Sequence, residues 1–311
     1  MATPCPRCEV LPVTGNQASF CIEGQERLRW NFDAAYPRPC FYPFIGPSGR
    51  SLTRMGHPGA PNHDHHRSIW FAHEQVLGIN FWSDETPARI RQKQWLVYQD
   101  GEDEAVMAVL LGWYDGHDPA ELLEQELIAA VRPGENRETY LELQSTFRPR
   151  ASVFEFGKTN FGFLAVRVAK NISEFFGGGR LQNSEGQIGE DAIFGKPARW
   201  LDYSGTTAVY EGASRRTLEE GVTYFDHPAN PRYPSSWHVR RDGWMGAAPC
   251  LAEPMATTRE KPLVLRYLLH GHSGMLSPQR AEQIAEQFGK TSPFAVKRAG
   301  VPNLEMEVVR V

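Results

Sequence analysis

The chain has 311 residues, 41% of them hydrophobic, which is enough for one large β-rich domain or two ordinary ones. A net charge of −4 with no basic stripe gives no electrostatic argument for a nucleic-acid partner, and none is expected; the longest apolar run, Ala105–Tyr114, falls short of the roughly 18 residues of a membrane helix. The N-terminus lacks the basic and apolar regions of a secretion signal, and five cysteines, few and odd in number, fit a reducing cytoplasm better than a disulfide framework.

In chain order, "MATPCPRCEV" carries Cys5 and Cys8 as a lone Cys-x-x-Cys, without the second pair that a four-ligand zinc site takes. Residues 1–14 are expected to form a flexible tail and residues 15–311 a single domain. Short alternating runs at Ala18–Ile22 and Leu28–Phe32 predict strands. A long loop is expected over Pro37–Pro61. The stretch "PNHDHHRSIWFAHE" (Pro61–Glu74) then packs His63, His65, His66 and His73 beside Asp64, Arg67 and Trp70. Read as extended chain, it places His63, His65 and Arg67 on one side and Asp64 and His66 on the other. Imidazoles grouped in this way suit metal binding, sugar binding or proton transfer. The forked donors of Arg67 suit an anionic oxygen.

Alternation resumes at Gln94–Gln99. "ELLEQELIAAV" fits helix or strand and is read as strand from its neighbours. In "YLELQSTF", Leu141, Leu143 and Phe147 share one face, with Glu142 and Gln144 on the other. In "FLAVRVAK", Leu164, Val166 and Val168 oppose Arg167. A second long loop, Phe175–Gly205, contains Gly177–Gly179, which permit a tight turn. The Gly-x-x-x-x-Gly-Lys pattern of a phosphate loop is absent. Asn183, Glu185, Glu190, Asp202 and Tyr203 offer groups suited to sugar hydroxyls, and Glu185 is a candidate general base or metal ligand. After a strand at Thr223–Asp226 comes a third loop, His227–Arg259. Pro228, Pro231 and Pro234 stiffen it. It presents His227, Asn230, Arg232, Trp237 and His238, with Trp237 either a stacking platform for a sugar ring or a core residue. Cys40 and Cys250 lie near these loops and are read as packing residues. In "LVLRYLLHG", Leu263, Leu265, Tyr267 and Leu269 oppose Arg266 and His270; His270 and His272 are expected to reach the same cleft.

One helix is predicted, with Ser277 as N-cap, Pro278 in the first turn, Gly289 as stop, and a stripe of Ala281, Ile284, Ala285 and Phe288. "LEMEVVRV" adds a last strand. The pattern implies an all-β fold, a large antiparallel β-sandwich with one short C-terminal helix, whose long loops build a cleft on one face.

The segments "RPCFYPFIGPSGRSLTR", "HDHHRSIWFAHEQVLGINFW", "LQNSEGQIGEDAIFGKPARWLDYSG" and "FDHPANPRYPSSWHV" resemble the PmoA-like ("methane oxygenase PmoA") family, over nearly the whole chain from about Arg38. A membrane oxygenase subunit needs spanning helices, so the resemblance implies kinship with soluble members only. "FYPFIGPSGR", the histidine-rich loop and the late "LRYLLHG" are also similar to the galactose-mutarotase type of β-supersandwich, which implies carbohydrate substrates with His and Glu as acid and base.

The expected function is therefore a cytoplasmic carbohydrate-active enzyme, hydrolysing, eliminating or epimerising a sugar derivative. His65, His66, Glu185, His238 and Arg67 are the catalytic candidates. His63, Trp70, His73, Asn183, Asp202, Tyr203, His227, Asn230 and Trp237 are the candidate substrate contacts. A divalent metal ion is a candidate cofactor, with His63 and His65 as ligands. The alternatives are a non-catalytic sugar-binding protein and a redox metalloprotein. A small-molecule carbohydrate is the expected partner, with no nucleic acid and no membrane; oligomeric state is left open.

Overall fold

A computed structural model describes residues 5–57, 59–60 and 63–311. In chain order the elements are β1 (Cys8–Val13), β2 (Gln17–Ile22), β3 (Gln25–Asn31), β4 (Cys40–Phe44), β5 (Ile69–His73), β6 (Arg89–Gln99), β7 (Ala105–Tyr114), β8 (Leu123–Pro133), β9 (Thr139–Pro149), β10 (Val153–Phe156) and β11 (Gly162–Arg167). There follow α1 (Glu174–Gly177), β12 (Arg180–Asn183), α2 (Glu190–Ile193), β13 (Trp200–Glu211), β14 (Ser214–Asp226), β15 (Trp237–Arg240), β16 (Trp244–Ala247), β17 (Met255–Thr258), β18 (Leu263–Ser273), α3 (Pro278–Gly289), β19 (Phe294–Arg298) and β20 (Met306–Arg310).

Two antiparallel sheets of eight strands stack as a sandwich. The first runs β1-β2-β3-β4-β5-β11-β16-β15 and the second β12-β13-β14-β18-β9-β8-β7-β6. Alternation decides which side chains fill the space between them. Ile69, Phe71, Leu164 and Val166 point inward from the first sheet, and Leu141, Leu143, Leu265 and Tyr267 from the second, within one buried cluster. The Phe71 ring lies 6.3 Å from Phe147 and 6.5 Å from Tyr267, so the sheets touch through aromatic side chains. Burying each such side chain contributes about 1.5–3 kcal/mol. The segment read as strand from its neighbours is β8.

The outer face of the second sheet is covered as well. Trp200, Phe225 and Leu268 pack against Ala281, Ile284 and Phe288 of α3. Val106, Ala108 and Ile128 pack against Phe294 and Val308 of the β19–β20 pair. The polar residues expected on this face, Glu142, Gln144, Arg266 and His270, are therefore buried rather than solvated. Arg266 pairs with Glu142 at 3.1 Å, and Gln144 both donates to the Phe294 carbonyl and accepts from its amide. α3 begins as expected, with the Ser277 hydroxyl accepting from the Arg280 amide, but Gly289 is its last residue and Lys290 the cap.

Two further expectations are corrected. Residues 8–13, assigned to a flexible tail, form β1. Cys8 and Val10 are buried there, and the Cys8 backbone exchanges hydrogen bonds with Gly101 of 2.9 and 3.0 Å. Residues 1–4 of that tail lie outside the described residues. Cys5 is exposed and Cys8 buried. The three long loops hold short strands: β4 in the first, β12 in the second, and β15, β16 and β17 in the third. No helix among the described residues is long and apolar enough to cross a membrane.

Candidate functional site

The site lies on the outer face of the first sheet, where inward residues alternate with outward ones. Along β15, Trp237 and Val239 face the core while His238 and Arg240 face out; along β11, Leu164 and Val166 face the core while Ala165 and Arg167 face out. Register aligns the outward residues in rows. Trp70 pairs with Ala165, Ala165 with Gly246, and Gly246 with His238, so Trp70 and His238 share a row across four strands. In the next row Arg167, Trp244 and Arg240 are neighbours. Small side chains at Ala72 and Ala165 let the indoles of Trp70, Trp82 and Trp244 pack into one buried aromatic layer, with ring centroids 5.2–5.5 Å apart.

Above that layer is a cavity of about 640 Å³, whose walls include His63, His65, His66 and His238, the carboxylates of Glu74, Asp84 and Asp242, Arg167 and Arg240, and the rings of Trp82, Phe161 and Trp244. The histidine stretch does not run extended through it. The His66 amide bonds to the His63 carbonyl at 3.0 Å, closing a tight turn, and Ser68 at φ 61° then swings the chain into β5. The turn replaces the expected two-sided pattern by a cluster. His65 and His66 rings are 4.3 Å apart, His63 and His66 5.0 Å, and His63 and His65 5.6 Å. His66 lies nearly parallel to Trp244 at 5.0 Å and to Trp70 at 5.7 Å. Burial, reinforced by His65 and Arg167, pushes its pKa far below the ordinary histidine value, so it is neutral.

His238 is oriented by Asn160. Its Nδ1 donates to the Asn160 carbonyl at 3.0 Å, which leaves Nε2 as the nitrogen with a lone pair. Burial, with Arg240 nearby, lowers its pKa to about 4. The rings of Phe161 and Phe194 meet it edge-on at 4.8 and 5.4 Å. Glu74 follows Trp70 and Ala72 along the outward side of β5, and its carboxylate accepts from the Thr159 hydroxyl. One short segment thus sets both groups: Thr159 holds Glu74, and Asn160 holds His238.

Two other carboxylates are locked by cations. Asp84 receives both terminal nitrogens of Arg67, at 3.0 and 2.5 Å, and both of Arg38, at 2.8 and 2.9 Å. Burial pushes its pKa up, but the two guanidiniums outweigh it and hold the carboxyl below its usual range. Arg67 is thereby committed to Asp84, which corrects its expected role as an anchor for a substrate oxygen. Asp242, in the β15–β16 turn, accepts from Arg167 at 2.7 Å and faces His57 Nε2 at 2.8 Å. There too burial is outweighed, by Arg167 and His57, and the pKa is lowered. The Gly59 amide donates to His57 Nδ1, so both ring nitrogens of His57 are engaged and it ties the histidine loop to the sheet.

The other sequence candidates lie elsewhere. Glu185 is exposed in the turn between β12 and α2, bonded to the Ser184 hydroxyl, and does not line the cavity. Asn183 is spent on that turn, accepting from the Glu185 and Gln187 amides. Asp202 is buried on the outer face of the second sheet with Ser204, Thr223 and His272. His270 is buried against Glu138 on the same face, so neither His270 nor His272 reaches the cleft. Tyr203 and Trp237 are core residues whose polar atoms donate to the Arg240 and Ala198 carbonyls. Trp237 therefore takes the core reading. Asn230 bridges Asp226 and Arg266, and His227 lies buried at 2.9 Å from Arg266. His73 points inward between Phe156 and Phe163, because it is two residues beyond Phe71. Trp70 belongs to the aromatic layer beneath His66. Cys40 and Cys250 are buried, with thiols pushed up to about 12 by burial. Among the described residues, no three His, Cys, Asp or Glu side chains converge as a metal site.

Missed by the sequence reading were His57, Glu74, Asp84, Arg167 and Asp242. Only Glu74 had an available signal: it closes the quoted histidine stretch and keeps step with Trp70 and Ala72. Residues 17–286 match the pattern of a family of unknown function, DUF6807. No curated protein matches the chain.

Proposed function

The chain belongs to DUF6807, whose function is unknown, so its role is read from its own site, and we propose an enzyme that binds a sugar or sugar derivative in the histidine-lined cavity and transforms it by acid–base catalysis. The observation that carries this reading is the meeting of His63, His65, His66 and His238 with Glu74 over an indole layer in one cavity. The half-buried Phe161 ring in the cavity wall suits the C–H face of a sugar ring, and the carboxylates, Arg167 and Arg240 suit its hydroxyls. His238 is the base: it is neutral near pH 7, oriented through Nδ1, and offers Nε2 to the ligand. Glu74 takes the place expected for Glu185 as the partner carboxylate. The galactose-mutarotase-like resemblance, which implies sugar substrates, agrees with this reading, as the PmoA-like one agrees with a soluble protein. Five free thiols, four of them buried, support the cytoplasmic setting. A divalent ion on His63 and His65 enters the proposal only if stoichiometric metal copurifies.

The test is a screen of the purified chain against mono- and disaccharides and their keto derivatives, read by proton NMR and repeated with His238→Gln. Conversion by the parent, slowed about 100-fold or more in the variant, is expected. Binding without conversion would make the chain a sugar-binding protein, and equal rates in the two proteins would remove His238 from the chemistry.

A further inference from the structure

Beside the histidine-lined cavity lies a second hollow of about 460 Å³, lined by Glu74, Lys158, Thr159, Asn160, Phe194 and Leu251. Glu74 lines both spaces, so they are neighbours. The dividing segment is the one that orients the two proton-transfer groups: the Thr159 hydroxyl donates to Glu74 and accepts from the Phe161 amide at 3.1 Å, while the Asn160 carbonyl accepts from His238.

Phe194 gives the outer hollow an aromatic wall. The residue is 36% exposed, so part of its ring is open to the hollow. It is nonetheless held firmly. The Phe194 amide bonds to the Glu190 carbonyl at 2.9 Å and the next amide to the Trp237 carbonyl at 2.8 Å. The Arg240 guanidinium sits 4.7 Å from the ring centroid. The remaining walls combine an ammonium, a hydroxyl, an amide and a carboxylate with the Leu251 side chain. One aromatic face rimmed by hydrogen-bonding groups repeats the recipe of the inner cavity on a smaller scale.

Resting on the sugar reading above, we propose that the outer hollow is a second sugar subsite, so that the substrate is a glycoside of at least two units whose linkage passes the Glu74 carboxylate. The inner unit occupies the histidine-lined cavity and the outer unit lies against Phe194. A linkage at Glu74 places the bond between units beside both oriented groups, which a monosaccharide confined to the inner cavity would not exploit.

Isothermal titration of the full chain with a panel of methyl glycosides and the matched disaccharides tests this, alongside Phe194→Ala and Lys158→Ala. The disaccharide is expected to bind about tenfold more tightly than its methyl glycoside, with Lys158→Ala shrinking that advantage and leaving methyl glycoside binding intact, whereas Phe194→Ala, whose ring also touches His238 and Arg240, should weaken both ligands, the disaccharide more. Lys158 is exposed, so its variant reports on the outer hollow even if Phe194→Ala fails to fold. Equal affinity for matched pairs, or a Lys158→Ala variant that weakens both ligands alike, would overturn the second subsite while leaving the sugar reading in place. A panel in which no member binds would overturn the sugar reading, and the subsite with it.

Discussion

His66, His73, His227, His238 and His270 are all buried, and burial holds each pKa below the ordinary value: His73 at about 3, His227, His238 and His270 at about 4, and His66 lower still. The native chain therefore refuses protons that the unfolded chain accepts once the pH drops below about 6.5. Stability should be full above that value and fall as the pH descends towards 4. A pKa one pH unit lower in the folded chain than in the unfolded one costs about 1.4 kcal/mol of stability in acid. His272 has the opposite sign. Burial lowers its pKa, but Asp202 at 2.8 Å outweighs that and raises it, so its contribution is complete below the ordinary value and fades as pH climbs through the folded one. With His57, whose pKa burial also lowers, six imidazoles against one predict a guanidinium midpoint that drops steeply between about pH 6.5 and pH 4.5. A midpoint unchanged over that interval would show that these imidazoles are not buried in neutral form. The density of histidine between His63 and His73 was legible in the sequence, but its division of labour was not. His73 belongs to the core and His66 to the cavity because one follows the inward phase of β5 while the other precedes it in a turn. Nothing in the order of residues fixes where that turn closes.

At the scale of elements, α3 and the β19–β20 pair convert a two-faced sheet into one buried on both sides. Phe288 is 1% exposed and packs with Trp200, Phe225 and Leu268, and its ring meets that of His227 edge-on at 4.7 Å. Phe288→Ala should cost about 3–5 kcal/mol in equilibrium unfolding. A loss below about 1 kcal/mol would mean that the helix is not part of the cooperative unit. Period-two patterning was sufficient to find β9 and β18 and to assign Leu141, Leu143, Leu265 and Tyr267 to the core. The same pattern misread Glu142, Gln144 and Arg266 as solvent-facing. Polarity in a strand says only which side avoids the core, and for Glu142 and Gln144 the cover arrives from residues more than a hundred positions away.

For the molecule as a whole, strand order decides what the site contains. β11 inserts between β5 and β16, skipping five intervening strands, and so sets Trp70, Arg167 and His238 on one face. The sequence marked the histidine stretch and His238 as chemistry, and their meeting depends on that insertion. Glu185 and Asp202 were equally plausible as residue types, yet the same topology carries them to the other sheet or to its rim. His57, Arg167 and Asp242 escaped notice because each is an ordinary residue until the fold places it beside the others. Along Trp237–Arg240 the strand divides its duties residue by residue, with two side chains turned to the hydrocarbon interior and two to the cavity. A saturation scan of those four positions should therefore beat in twos. Changes at 237 and 239 should deplete the amount of protein in the cell, whereas changes at 238 and 240 should leave abundance near normal and silence turnover. The two outcomes separate because side chains that alternate along one strand lie on opposite faces of its sheet.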